Sequence, residues 1–324
     1  MEAKKRIVVV VNKYWECDPV CSVLTNRYIK DQCGIDLNFE QTFKNSHDPS
    51  YGPVKVPLAE KTEPRMYFET TSRIIEIWCI SDLLSNSPDK LQSSSEEKMR
   101  LLPIIFNYLN NGKSLEIELI IAVGTASSGP SVGINPFFDT DNINGSVVIG
   151  SKVFMHNGWD KDSASNYQCS DWGTILESGT NNVIEQLQGT DFSLYEQLLL
   201  SPPTNPSPLR QHIYVDEKYV ALGDVNVTDY TKYTQKDQET GDDFFAKYPD
   251  NLDGVSLETT HCLIYQAAKN HNGSQNPPFI FVSGITDRYT MFSSDVNPKV
   301  YGQNVSCAHN AGVAVAYILS QLIN

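Results

Sequence analysis

The sequence predicts an α/β protein, a single domain with a central mixed β-sheet flanked by helices. Three observations carry that expectation. Apolar β-branched runs recur along the chain, the first being RIVVVVN at 6–12, and a run without polar alternation marks a strand buried on both faces. Segments with helical spacing of apolar residues alternate with these runs, which is the order of a sheet covered by helices. No Gly-rich linker or internal repeat divides the 324 residues, a length that suits one large α/β domain.

After the first strand, Asp18-Pro19 is expected to open a helix, with Asp18 as N-cap and Pro19 in the first position. IIEIWCI at 74–80 reads as a second strand. Ser94-x-x-Glu97 has the form of a capping box. Behind it Met99, Leu102, Phe106 and Leu109 form a helical stripe ended by Asn111-Gly112. Pro103 within that stripe predicts a kink or restart. EIELIIAVG at 116–124 is a third strand, running into a small-residue turn, Thr125-Ala126-Ser127-Ser128-Gly129. SVVIGSKVF at 146–154 and the segment 213–223 carry further strand signals. Between them, residues 158–210 are polar and irregular, with a proline cluster at 201–208, and are expected to form an insertion or lid. SLETTHCLIYQAAK at 256–269 reads as an amphipathic helix. FIFV at 279–282 is a short strand followed by Ser283-Gly284-Ile285-Thr286-Asp287. A last helix over about 304–322 places Ala308, Ala311, Val315, Leu319 and Leu322 on one face.

Composition narrows the function. Lys and Arg number 25 against 39 Asp and Glu, a formal net charge of −14. Such a surface repels phosphate backbones and anionic lipid, so neither nucleic acid nor membrane is an expected partner. No stretch approaches the roughly 20 apolar residues of a membrane helix. The apolar run behind Lys4, Lys5 and Arg6 is too short for a signal-peptide core, so the four Asn-x-Ser/Thr sequons at Asn144, Asn226, Asn272 and Asn304 read as chance. Seven cysteines, an odd number without CxxC spacing, fit reduced thiols in a cytoplasmic protein better than a disulfide framework. The six histidines show no metal-ligand spacing, and neither a metal nor another cofactor is expected.

Four apolar runs end in polar or small residues, at 12–16, 124–128, 223–226 and 283–287. Ligands of α/β sheets bind outside strand ends, so these segments are expected to converge. In chain order, RIVVVVNKYWE, AVGTASSG with the following GSVVIGSKVF, ALGDVNV, VSLETTH and FVSGITD resemble successive motifs of the nucleoside phosphorylase/nucleosidase superfamily. That group contains purine nucleoside phosphorylases, uridine phosphorylases and methylthioadenosine/S-adenosylhomocysteine nucleosidases, and the last are closest in pattern. VSLETTH and FVSGITD, followed by an Ala-rich closing helix, are the most specific part.

The resemblance implies a three-layer, phosphorylase/hydrolase-like domain over 1–324 that cleaves a purine N-glycosidic bond. It implies that Asp287 bonds purine N7 and protonates it, a task that needs a raised pKa. Glu258 then accepts the ribose 2′- and 3′-hydroxyls, and Glu16 positions and activates water. Thr125, with the amides of Ala126 and Ser127, faces the nucleophile or a phosphate. Ser283 and Thr286 orient the base loop, and Leu257 gives the ribose an apolar surface. Asn226 stands where many nucleosidases stack a Phe on the base, leaving Tyr219, Tyr230, Phe154 or Trp159 for that task. His156 lies in the region that contacts the 5′ group. His261, one turn after Glu258, reads as a packing residue.

Two departures favour a hydrolase over a phosphorylase. Ala122 occupies the position where phosphorylases carry an Arg, whose phosphate-binding fork Ala cannot replace. Glu16 would also repel phosphate. Arg27 and Arg288 remain alternative sources of a phosphate contact. A phosphorylase of the same fold and a non-catalytic nucleoside-binding protein stand as the other readings. The expected ligand is a small neutral or zwitterionic purine nucleoside or derivative, and the expected assembly is a homo-oligomer.

Overall fold

A computed structural model describes residues 4–26, 40–41, 63–83, 95–129, 143–156, 173–203, 211–225, 233–250, 254–273, 276–289, 295 and 300–323. At its centre β1 (Lys5–Val11) lies parallel to β4 (Arg73–Cys79) on one side and β5 (Ile117–Ser128) on the other. Its continuous apolar run is used on both faces. Ile7, Val9 and Val11 join one core cluster, and Val8 and Val10 join another. The first cluster is closed by α1 (Tyr14–Thr25) and α8 (Val300–Ile323). The second is closed by α3 (Ser95–Phe106) and α7 (Thr259–Asn272). This is a sheet between two helical layers, and double-sided burial is why the strand sequence lacks alternation.

The sheet has twelve strands among the described residues. One path starts with β2 (Glu40–Gln41) and β3 (Met66–Glu69), then runs through β4, β1 and β5. It continues through β11 (Val255–Leu257), β10 (Val220–Asp224), β7 (Lys152–His156) and β8 (Ile175–Glu177). A branch leaves β5 through β12 (Phe279–Arg288), β6 (Val147–Gly150) and β9 (Ile213–Val215). Strand β5 is the junction. It pairs in parallel with β1 and β12, and its last residues Ser127 and Ser128 pair antiparallel with β11. Helix α6 (Tyr233–Lys247) covers a third cluster of Phe154, Val220, Leu222, Phe244, Val255 and Leu257.

Several local expectations are corrected. Helix α1 starts at Tyr14, with Lys13 rather than Asp18 as N-cap, and Pro19 lies inside it. The Glu16 carboxylate accepts the Lys13 N–H at 3.1 Å, satisfying a free amide of the first turn earlier than the Asp-Pro signal. Residues 125–128 are not a turn: β5 continues through them because β12 and β11 supply partners. For the same reason Ser283–Asp287 belongs to β12. The run at 146–154 divides into β6 and β7, and 213–223 divides into β9 and β10. The first of these breaks falls at Ser151, just after Gly150, where a Cβ would stand 2.7 Å from the Tyr219 carbonyl oxygen. Helix α3 passes through Pro103 and ends at Phe106, leaving Leu109 outside it and 53% exposed. Residues 255–257 are strand, and the helix begins after Glu258. Within the supposed insertion, residues 173–203 are ordered as β8, α4 (Asn181–Gln188) and α5 (Ser193–Glu196) rather than irregular. Ser94, Asn226, Tyr230, Trp159 and Arg27 lie outside the described residues. No helix among the described residues is long and apolar enough to cross a membrane.

Candidate active site

The end of β5 is the ruler on which the site is built. Thr125 donates both its N–H (2.9 Å) and its hydroxyl (2.6 Å) to Glu16 Oε1. With the Lys13 N–H on Oε2, these bonds fix a carboxylate that is 1% exposed. Two residues further along β5, the Ser127 hydroxyl donates to Asp287 Oδ2 at 2.7 Å. Glu258 enters from β11, whose Leu257 pairs with Ser127. It is the N-cap of α7, and its Oε2 accepts the His261 N–H at 2.9 Å.

Gly124 locates two of the acids relative to each other. A Cβ built there would stand 3.7 Å from Glu16 Oε1, 3.7 Å from Glu258 Cγ and 3.3 Å from His261 Nε2. The two glutamates therefore flank a single point of the β5 backbone.

Asp287 sits at a bulge of β12. Ile285 pairs with Ala126 and Asp287 with Ser127, so Thr286 is the extra residue. The Thr286 hydroxyl lies 2.6 Å from Asp287 Oδ1 and 3.2 Å from the Ala126 carbonyl oxygen. Gln303 of α8 holds the Thr286 carbonyl. Burial pushes the Asp287 carboxyl above its ordinary range, against the lowering effect of the two hydroxyls, and Asp295 adds to the rise. Arg288 does not face this site as a free cation: its guanidinium and amide bind Asp295 at 2.7–3.0 Å.

Sequence reasoning passed over two neighbours, Lys98 and Asp237, and read a third, His261, as a packing residue. Lys98 of α3 is 3% exposed and donates to Thr260 Oγ1 at 3.0 Å. Its signal was present in the sequence, since it occupies the face of α3 that buries Leu101, Leu102 and Ile105. Asp237 of α6 accepts the Thr259 hydroxyl at 3.2 Å, and desolvation with the charge of Glu258 pushes its carboxyl up to about 8. No local pattern marks it. His261 is fully buried, stacks on Phe281, and sits with Nδ1 3.3 Å from the Ser283 hydroxyl, which lies 2.6 Å from that of Ser256. Burial lowers its pKa. The Ser283 hydroxyl is thus tied to His261 and Ser256.

His156 stands apart from this group. Its Nδ1 is 3.7 Å from Asp224 and its Nε2 3.8 Å from Asp243 of α6, and the Thr240 hydroxyl is 3.4 Å from Nδ1. No group of three or more His, Cys, Asp or Glu side chains among the described residues is arranged to hold a metal ion.

No protein-family model matches the chain, and no curated protein matches it in sequence. Solved structures do. A 5′-methylthioadenosine/S-adenosylhomocysteine nucleosidase from S. pneumoniae with a transition-state inhibitor has a TM-score of 0.52 at 12% identity, covering 98% of this chain and 99% of that one. An MTA/SAH nucleosidase gives 0.53 at 13% identity, with coverage of 100% and 98%. Futalosine hydrolase of Helicobacter pylori gives 0.51 at 9% identity, with coverage of 98% of each chain. At these identities the likeness is one of fold, and it spans the whole chain. The chain has the fold of these nucleosidases and of futalosine hydrolase.

Proposed function

We propose that this protein is a purine nucleoside N-ribosyl hydrolase that releases a free base from an adenosine-like nucleoside or derivative. The observation that carries the reading is the convergence of Glu16 and Glu258 on Gly124, with Asp287 bound to Ser127 on the same strand end. Water attacks C1′ of the ribose as the bond to the base nitrogen breaks. The water's proton passes to Glu16, and the electron pair of the broken bond goes to the base, which receives a proton at N7 from Asp287. Glu258 accepts the 2′- and 3′-hydroxyls and favours the positive character that develops on the sugar. The raised pKa of Asp287 suits a proton donor working near neutral pH.

Water is favoured over phosphate as the nucleophile. Both donors of Thr125 are engaged by Glu16, so they hold the base rather than an anion. Ala122 is fully buried and offers no cation, and Arg288 is neutralised by Asp295. The fold neighbours include nucleosidases and a hydrolase, which supports the same choice. The substrate-contact roles of Leu257, Ala126 and His156, the lid role of 158–210 and a homo-oligomeric assembly remain part of this proposal.

Incubating the protein with a panel of purine nucleosides, with and without inorganic phosphate, tests it. Free base and free sugar at equal rates in both conditions are expected. Strict dependence on phosphate, with sugar 1-phosphate formed, would make the protein a phosphorylase. Binding without any cleavage would make it a nucleoside-binding protein.

A further inference from the structure

One polar atom beside Gly124 is not used by the chemistry above. His261 Nε2 is buried and has no hydrogen-bond partner among the described residues. An unpaired polar atom in the interior is costly, and folded proteins seldom leave one without a task. Packing alone would be served by an apolar ring, since His261 is fully buried and stacks on Phe281 with centroids 5.8 Å apart.

The surroundings of the ring give the task. A Cβ at Gly124 would stand 3.3 Å from Nε2, 3.7 Å from Glu16 Oε1 and 3.7 Å from Glu258 Cγ. Ring and acids thus approach one face of β5 across the side chain that glycine lacks, and no bond joins Nε2 to either acid. The other ring nitrogen is held: Nδ1 lies 3.3 Å from the Ser283 hydroxyl, which lies 2.6 Å from that of Ser256. Burial lowers the pKa of the ring, so near neutral pH a single nitrogen carries a proton. A hydrogen on Nε2 is attracted by the two glutamates, whereas a lone pair there would be repelled. Ser283 therefore donates to Nδ1, and Nε2 carries the hydrogen.

A water that gives its proton to Glu16 also needs a donor to its oxygen, to fix the direction of attack. Neighbouring donors are committed. Both donors of Thr125 go to Glu16 and the Ser127 hydroxyl goes to Asp287. The Arg288 guanidinium goes to Asp295, and that of Arg65 to Asp82 of α2 (Ile80–Leu83). We propose that His261 is a further catalytic residue, its Nε2–H donating to the oxygen of the attacking water and holding it against Glu16. The water's proton still passes to Glu16, and His261 neither gains nor loses one. The proposal rests on the nucleosidase reading.

The test uses His261→Asn, His261→Gln and His261→Phe on the purine nucleoside that releases base fastest. Asn keeps a partner for Ser283 but has no atom at the Nε2 position, Gln returns a donor to that position, and Phe keeps the stack on Phe281. For Asn and Phe, kcat is expected to fall by about 10²-fold with KM unchanged, and Gln to recover about tenfold of that loss. The second readout is the ratio of methyl glycoside to free sugar with methanol added, which does not depend on how much of a variant is folded. A loosely held water competes poorly, so the ratio should rise in Asn and Phe and stay near the wild-type value in Gln. A ratio unmoved in Asn and Phe, or moved equally in Gln, identifies a packing residue and overturns the proposal, as does failure of all three variants to fold. A difference between wild type and Asn that vanishes on the 2′-deoxynucleoside overturns it too, because His261 would then bond the sugar. In each of these cases the wild type still releases base, and the nucleosidase reading stands. If the wild type releases base from no nucleoside, that reading falls and takes this proposal with it.

Discussion

Asp287 is held between opposing influences. Two hydroxyls, from Ser127 and Thr286, stabilise its charged form, while a nearly complete loss of water favours the neutral form, and the loss of water wins. A raised folded-state pKa means that the carboxyl keeps its proton to higher pH than a solvated Asp. Activity that needs this proton must therefore fall on the basic side, as pH rises through that pKa. Asp287→Asn has the same shape but no proton to give, so kcat should drop by about 10²–10⁴ and the basic limb should disappear. Base release measured across pH decides this. A basic limb that survives in the Asn variant would move the proton donor to another group, and Asp237, with a pKa of about 8 close by, is the first candidate.

At the scale of elements, the site depends on β12 lying flat under α8. Gly284 makes that contact: a Cβ there would stand 2.0 Å from the Cys307 carbonyl oxygen and 2.6 Å from its carbon. A backbone group in a helix cannot swing aside as a side chain can. Gly284→Ala should therefore push α8 off the strand that carries Thr286 and Asp287, destabilising the fold by about 3 kcal/mol and lowering Tm by roughly 6 °C. Thermal unfolding checks it, and an unchanged Tm would mean that α8 does not rest on β12 at this point. The same element shows what could be read in advance. The apolar halves of β1, β5 and β12 were legible because burial on both faces removes polar alternation. Their small, polar extensions were not, because Thr125–Ser128 is a strand only by virtue of β11 and β12, which come more than 120 residues later in the chain. Likewise Asp18-Pro19 is a strong local start signal, yet α1 obeys the bonds of Glu16 to Lys13 and Thr125, the second of which spans 109 residues. Glu16, Glu258 and Asp287 were legible as candidates because each sits beside a strand or helix end. Lys98 sits mid-face on an apolar helix, where the mismatch between a lysine and its buried neighbours was the only signal.

For the whole molecule, charge is the property that reaches from composition to substrate. The formal net charge is −14, and the site has the same sign. Glu16, Glu258, Asp237 and Asp287 gather at one end of the sheet, with Lys98 among them. The buried arginines of the core are spent on other partners: Arg6 on Glu76 and Arg65 on Asp82. A nucleoside 5′-phosphate would bring up to two further negative charges into this field and would shed water to do so. An uncharged nucleoside incurs neither penalty. The expected outcome is a kcat/KM for the 5′-monophosphate about 10²-fold below that of the corresponding nucleoside at low ionic strength. The gap should narrow as salt screens the field, while the rate for the uncharged nucleoside stays level. Paired rate measurements from low to high salt check this. A nucleotide cleaved as fast as its nucleoside at low salt would mean that a local cation cluster outweighs these acids, and the assignment of this site to uncharged sugars would have to be given up.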